Sequence, residues 1–470
     1  MKYNNFSVLF KQYIHNSQLS ISSLAKLSGI NRTLIQKYIS GNRLPQNYSI
    51  VEKIIQFLAL TQLQKAELKH SYKLEKIGYE RFNKLLSLKN IILDLENNQS
   101  SFSSFPTYLS KEISSARNIH ELKYLTQYIL NNMDHTNDTL QILLNTDNQL
   151  FPIIFQFSKL FSHIKINLFL HFETLNNNNL SNNNLIQFKN IIPLIKINKN
   201  INIYYTYIDN PTDYSLYPFL ISTSNFLLFI NGNINSGILL KDNYLIQNEF
   251  NTKLLSTKHL IKLAKNNLEY QQNSLFFNMN SHSVTYYSGN PYIIPWIDIN
   301  ILEQHYIGSN NDKKQLIDCF LSFQNQIKKY IKKNKIHFYC YLSNFENISS
   351  DIYLTGISQE LFKPFTKDEL IQFYNNMLYS LEKENNYIFQ IIDDKKIIFP
   401  LNLNIQIYQN NIIITNKDCS FNILEETLYQ DFHLLSQIFE ELEECIFNNE
   451  ISISLLKKFI ENHLDKTIKK

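Results

Sequence analysis

Glycine is scarce in this chain, with 8 in 470 residues, where an average protein carries about 7%. The glycine-rich loops that hold nucleotide phosphates therefore have little to be built from. Beyond residue 100 there is no Gly-x-x-x-x-Gly-Lys loop, no His-Glu-x-x-His zinc helix and no Gly-x-Ser-x-Gly elbow. A non-enzyme with no cofactor and no metal is expected. Cysteine is nearly absent too. Cys319, Cys340, Cys419 and Cys445 form no Cys-x-x-Cys pair, and no secretory segment opens the chain, so free thiols and a cytoplasmic location are expected. No apolar run is long enough to span a membrane, since even 218–230 is broken by Ser222, Thr223, Ser224 and Asn225.

Arginine occurs only at Arg32, Arg43, Arg81 and Arg117, in a sequence rich in Lys and Asn. AT-rich coding accounts for that skew, so the Asn run at 176–179 and 182–184 reads as a polar surface loop. Acid is missing from one region. The first 51 residues hold six basic residues, and the first acid is Glu52. Through Leu85 there are thirteen Lys and Arg against four Glu, a surplus of nine in a chain whose net charge is +4. The N-terminus alone is basic, which suits a polyanionic partner.

What is present describes folded domains. Hydrophobic residues at 44% and aromatics at 13%, in a chain of this length, can fill several cores. Apolar positions at 6, 9, 10, 13 and 14 predict a first helix. Ser20 can cap a second over 21–28, with Gly29 in the left-handed turn after it. Asn31 can cap a third that ends at Gly41, ahead of Pro45. A fourth is expected over 48–60. The Thr61-x-x-Gln64 capping signature opens a fifth stretch running toward Leu95, with a break near Gly78. Residues 96–106, rich in Ser and Asn, read as a linker. Beyond it, helical spacing at 119–133 and 151–163 precedes strand-like runs at 166–172, 201–208, 226–230 and 238–240, with Gly232 and Gly237 as turn residues. The remainder reads as helix 312–333, strand 336–342, helix 366–383 and strands 387–392, 405–408 and 412–415. An acidic amphipathic helix over 427–447 and a short helix over 454–464 follow. No fixed-period repeat is visible.

The segment from Ile21 supplies the parts of a helix-turn-helix. Leu24 is an anchor, Ala25 the small contact residue, Gly29 the turn, and Ile30, Ile35 and Tyr38 the remaining core positions. On these residues the stretch 6–60 resembles the lambda-repressor-like, or XRE-type, family of five-helix DNA-binding domains. Ser28 departs from it, standing where the family more often has an apolar residue. The resemblance implies a sequence-specific transcriptional regulator, cytoplasmic and homodimeric, with double-stranded DNA as partner. Its larger portion would sense a signal, such as a small-molecule or peptide effector, or make protein contacts. From the pattern of elements along the chain the expected fold is multidomain α+β: an all-α domain at 1–95, the linker, and mixed α/β domains at 107–270 and 271–470.

Helix three can be read without that family. At 3.6 residues per turn, Leu34, Ile35, Tyr38 and Ile39 gather on one side, while Arg32, Thr33, Gln36, Lys37 and Ser40 share an opposite arc of roughly 140°. Arg and Lys can reach guanine O6 and N7, and Gln can read adenine N6 and N7, so Arg32, Thr33, Gln36 and Lys37 are the candidate base readers. Ser20 and Ser22 at the start of helix two, with Lys26, Asn42 and Arg43 beside them, are the candidate phosphate contacts.

Elsewhere the residues carry less. His163-Ile164-Lys165 resembles the His-x-Lys of phospholipase-D-type sites, but Leu170 stands where the aspartate should fall, and a strand-entry histidine is expected. Trp296 reads as core, and Cys319 and Cys340 as ordinary thiols. Two rival functions remain open from the sequence: an enzyme tethered to DNA, and an antitoxin-like interaction protein.

Overall fold

The computed structural model describes residues 4–96, 114–174, 183–208, 217–241, 257–343, 353–354, 356–394, 403–416, 419–442 and 445–468. The linker expected at 96–106 lies outside them, apart from Glu96. The chain is α+β and divides into two compact units: Met1–Leu86 with Gln437–Glu444, and Ser87–Ser436 with Cys445–Lys470.

The first unit is helical. It contains α1 (Asn4–Asn16), α2 (Ile21–Ser28), α3 (Arg32–Ile39), α4 (Tyr48–Ile55), α5 (Gln62–Ile77) and the start of α6 (Tyr79–Glu96). The expected boundaries follow from cap chemistry. Ser20 Oγ accepts from the Ser23 amide, Asn31 Oδ1 from Thr33 and Asn47 Oδ1 from Ile50, while Thr61 and Gln64 close a capping box. Gly78 sits between α5 and α6 at φ 90°. The fourth helix is shorter than its apolar pattern suggests, because a turn follows Ile55 and leaves Leu58 buried outside it. Phe6, Phe10, Tyr13, Leu24, Ile35, Tyr38, Val51, Ile54, Leu68 and Tyr72 form one core. Phe6 stacks on Phe10 and meets Tyr72 edge-on, and the Tyr72 hydroxyl donates to the Pro45 carbonyl.

Residues 437–442 belong to this unit although they come late in the chain. The acidic helix expected over 427–447 does not form as one piece. A helix at Glu426–Phe432 gives way to one turn at Leu435–Gln437 and a π-turn at Ile438–Leu442, and Ile446 then enters a β-bridge with Ile392. Arg81 of α6 donates to Gln437 Oε1 and pairs with Glu441 at 2.7 Å.

Among the described residues the second unit is built on one 14-stranded sheet. Chain order runs β1 (Ser115–Ala116), α7 (Ile119–Asn132), β2 (Thr139–Leu143), α8 (Phe151–Leu160), β3 (Lys165–Glu173), α9 (Asn183–Ile197), β4 (Ile201–Ile208), β5 (Phe219–Ser222), β6 (Leu227–Ile230), β7 (Gly237–Leu240) and β8 (Lys258–Leu263). Then come β9 (Ser283–Ser288), β10 (Lys335–Tyr341), β11 (Tyr387–Ile392), β12 (Asn404–Tyr408), β13 (Asn411–Thr415) and β14 (Ser420–Ile423), with helices between. The stretches 107–270 and 271–470, expected as separate domains, contribute to this single sheet. Its arrangement is duplicated. β2, β3 and β4 are parallel neighbours, and β2 turns outward through antiparallel β5, β6 and β7. β9, β10 and β11 repeat the parallel set, and β12, β13 and β14 the antiparallel one. β8 joins the halves, lying antiparallel to both β4 and β14.

Three local expectations need correction. Gly237 lies inside β7, where a Cβ would meet the Phe229 carbonyl at 2.6 Å, so close strand packing rather than a turn requires it. Asn184 is not in a surface loop. It is buried at the start of α9, its amide bonded to the Glu173 backbone and to Thr427 Oγ1; residues 176–179 and 182 lie outside the described residues. Strands β1, β2, β5, β8, β9 and β14 were not anticipated. Trp296 is core, stacked on Tyr387 and donating through Nε1 to Ser380.

Candidate nucleic-acid interface

The α2–turn–α3 pair is fixed from its inner side. Leu24, Ile35 and Tyr38 are buried, Ala25, Ile30, Leu34 and Ile39 pack against them, and Gly29 makes the turn at φ 68°. Ser28, the departure noted in the sequence, donates its hydroxyl to the Leu24 carbonyl, so its polarity is absorbed within α2. With that face occupied, helical geometry leaves Arg32, Thr33, Gln36, Lys37 and Ser40 exposed together.

The loop after α3 is held by one acceptor. The Lys37 carbonyl takes the amides of Asn42 and Arg43 and the Ser40 hydroxyl, while Gly41 is at φ 69°. Asn42 and Arg43 therefore stand, exposed, directly beyond the end of α3. Ser22 and Lys26 are exposed on α2. Ser20 is exposed, but its oxygen caps the Ser23 amide and lies 2.8 Å from Ser23 Oγ. The Ser23 amide at this helix start is thus already bonded.

Charge on this surface is uncompensated. Among the described residues none of Lys26, Arg32, Lys37 and Arg43 has an acidic partner. Two of the acids of this unit are bonded to α1: Glu75 accepts the Asn5 and Phe6 amides, and Glu67 accepts the Tyr13 hydroxyl. Among the described residues no group of His, Cys, Asp and Glu could hold a metal, and no helix is long and apolar enough to cross a membrane. Among the described residues no cysteine forms a disulfide, and burial raises the pKa of the Cys319 and Cys340 thiols. His163 is exposed in the turn before β3, its carbonyl accepting from Asn200.

A second constellation was missed from the sequence. Asn404, the first residue of β12, is fully buried, and neither its amide nitrogen nor its oxygen has a partner among the described residues. Among the described residues Asn145, Gln187, Asn411 and Asn422 leave only one amide oxygen unpaired. Ser288 lies opposite Asn404 in the β9–β12 register, with its hydroxyl also unpartnered. Each such group costs on the order of 1–3 kcal/mol. The alternation Asn404-Ile405-Gln406-Ile407 was available as a signal, but it reads as a half-exposed strand, whereas all five residues of β12 are buried.

Fold and surface thus define an α+β protein whose N-terminal unit presents a basic helix-turn-helix. No family model matches the chain, and no curated protein matches it. Among solved structures it is similar to TrmBL2, an archaeal chromatin protein showing a novel mode of DNA binding, at 11% identity over 54% of this chain and 94% of that one, with a TM-score of 0.21. It is also similar to polyphosphate kinase from Porphyromonas gingivalis, at 9% identity over 74% of this chain and 54% of that one, with a TM-score of 0.20. Scores this low carry no functional weight.

Proposed function

We propose that this protein is a sequence-specific, DNA-binding transcriptional regulator of the lambda-repressor-like type. It acts as a homodimer that lays α3 in the major groove. Arg32, Gln36 and Lys37, with Thr33, read base edges; Ser20, Ser22, Lys26, Asn42 and Arg43 hold phosphates. The larger unit carries the response to an effector, and no catalytic step is assigned to it.

The observation that carries this reading is the division of α3. Ile35 and Tyr38 are buried, while every polar residue between and beside them is exposed, with no acid among them. A cationic helix face anchored by its apolar side matches the groove in width and in hydrogen-bonding capacity.

Selection of the full-length protein against a random duplex library tests the proposal. The expected motif is roughly palindromic, with half-sites about 34 Å apart. Arg32→Ala is expected to cost about 1–3 kcal/mol and to relax one base position. Lys26→Ala should weaken all sequences alike and lower the salt slope by about one unit. Failure to retain any duplex at low salt would overturn the reading.

A further inference from the structure

The duplication of the sheet supplies its own control for the buried amide of Asn404. In the first half, the β2–β5 register ends at Leu143 opposite Leu220, and continuing it by one residue brings Leu144 and Phe219, both buried and apolar, to the place that Ser288 and Asn404 hold in the second half. The architecture therefore does not require polar groups at this point, at the carboxyl end of a central parallel strand where its antiparallel neighbour begins. Gly356 gives a second, independent sign. It is one of the 8 glycines of the chain, at φ 88°, and a Cβ there would stand 3.2 Å from Asn404 Nδ2 and 3.3 Å from Ile294 Cδ1. Its carbonyl is held by Gln271 Nε2 and Ser274 Oγ. A fixed glycine thus keeps clear, against the unpartnered amide, the place that a Cβ would crowd. Ser343, one strand further along the same edge, has its hydroxyl unpartnered as well.

We propose that Asn404, with Ser288 and beneath Gly356, binds a small neutral ligand that presents a hydrogen-bond donor beside an acceptor. An amide such as that of Asn404 offers both at once and pairs best with a carboxamide, a nucleobase edge or vicinal hydroxyls. The lining named here is uncharged, and a charged ligand would lose its hydration without a counter-charge. Binding stands independently of the DNA-binding reading; only its role as the effector site rests on that reading.

Thermal-shift and calorimetric titration of the full-length protein with nicotinamide, uridine and glucose separates the three sources. At least one is expected to raise the Tm of the native protein at millimolar concentration. Asn404→Leu, which imitates the apolar first half, should abolish that shift while melting at or above the native protein without ligand, because an unpaired buried amide has been removed. Ser288→Ala should weaken the same response several-fold while also melting at or above the native protein without ligand, since an unpaired buried hydroxyl has been removed. The proposal is overturned if none of the three probes binds, or if Asn404→Leu melts well below the native protein while binding is unaffected, the behaviour of an amide that holds an internal water only. DNA binding, measured separately, reports on the regulator assignment without bearing on this one.

Discussion

Tyr13 shows how much one residue contributes to the helical unit. Burial first, then its hydrogen bond to Glu67 and the charge of that carboxylate, push its pKa from 10.0 up to about 12. A phenol whose folded pKa is raised adds stability that is complete below its ordinary pKa and lost as pH rises through the folded one. Denaturation of the native protein is therefore expected to become easier between pH 10 and 12. Tyr13→Phe should lose about 1 kcal/mol at neutral pH and show a flatter profile over that alkaline range, both measurable in denaturant titrations. At this scale the sequence was legible wherever local chemistry decides. Ser20, Asn31, Thr61 and Gln64 cap as their side chains allow. It was not legible at Asn184, whose partners Glu173 and Thr427 come together only in the folded sheet.

Among the elements, the turn between α2 and α3 is the most exacting. Gly29 has no atom within 4 Å of an added Cβ, so a substitution there meets only backbone strain from the left-handed conformation. Gly29→Ala is expected to cost about 1–2 kcal/mol. If that strain is relieved by re-aiming α3, duplex affinity should fall further than the melting temperature alone implies. The comparison of circular-dichroism melts with DNA titrations checks this. The broken acidic helix shows the opposite limit of sequence reading. Its acid and apolar spacing is helical, yet the Asp393 amide donates to the Cys445 carbonyl and the Phe447 amide to the Ile391 carbonyl. Beyond β11 the sheet offers these hydrogen bonds, and the helix pattern cannot compete with them. Strands with near-continuous apolar character, such as β4 and β13, could be read from the sequence. β9, with Ser283, Thr285 and Ser288 among its tyrosines, could not.

In the molecule as a whole, the duplicated topology escaped the sequence because the halves differ in length between matching strands. β2 and β9 begin at Thr139 and Ser283, whereas β4 and β11 begin at Ile201 and Tyr387. The separation drifts, and no fixed period survives. Membership of the first unit was equally hidden, since Gln437 and Glu441 lie more than three hundred residues from Arg81. A fragment ending at residue 95 lacks Ile438, Phe439 and Leu442, all buried in the full protein. Losing even one large apolar contact is worth about 2 kcal/mol. The fragment is therefore expected to melt lower than the intact N-terminal unit in hydrogen-exchange experiments, and to regain protection when a peptide spanning 435–444 is added.

The late return of the chain to its own beginning also sets an order of events during synthesis. The ribosome must pass Leu442 before the helical unit can receive its last turn, by which time nearly all of the sheet has been translated. Nascent chains that stop early would carry an incomplete helical unit, so the surface proposed here to meet DNA would not reach full strength before the sheet that accompanies it has been made.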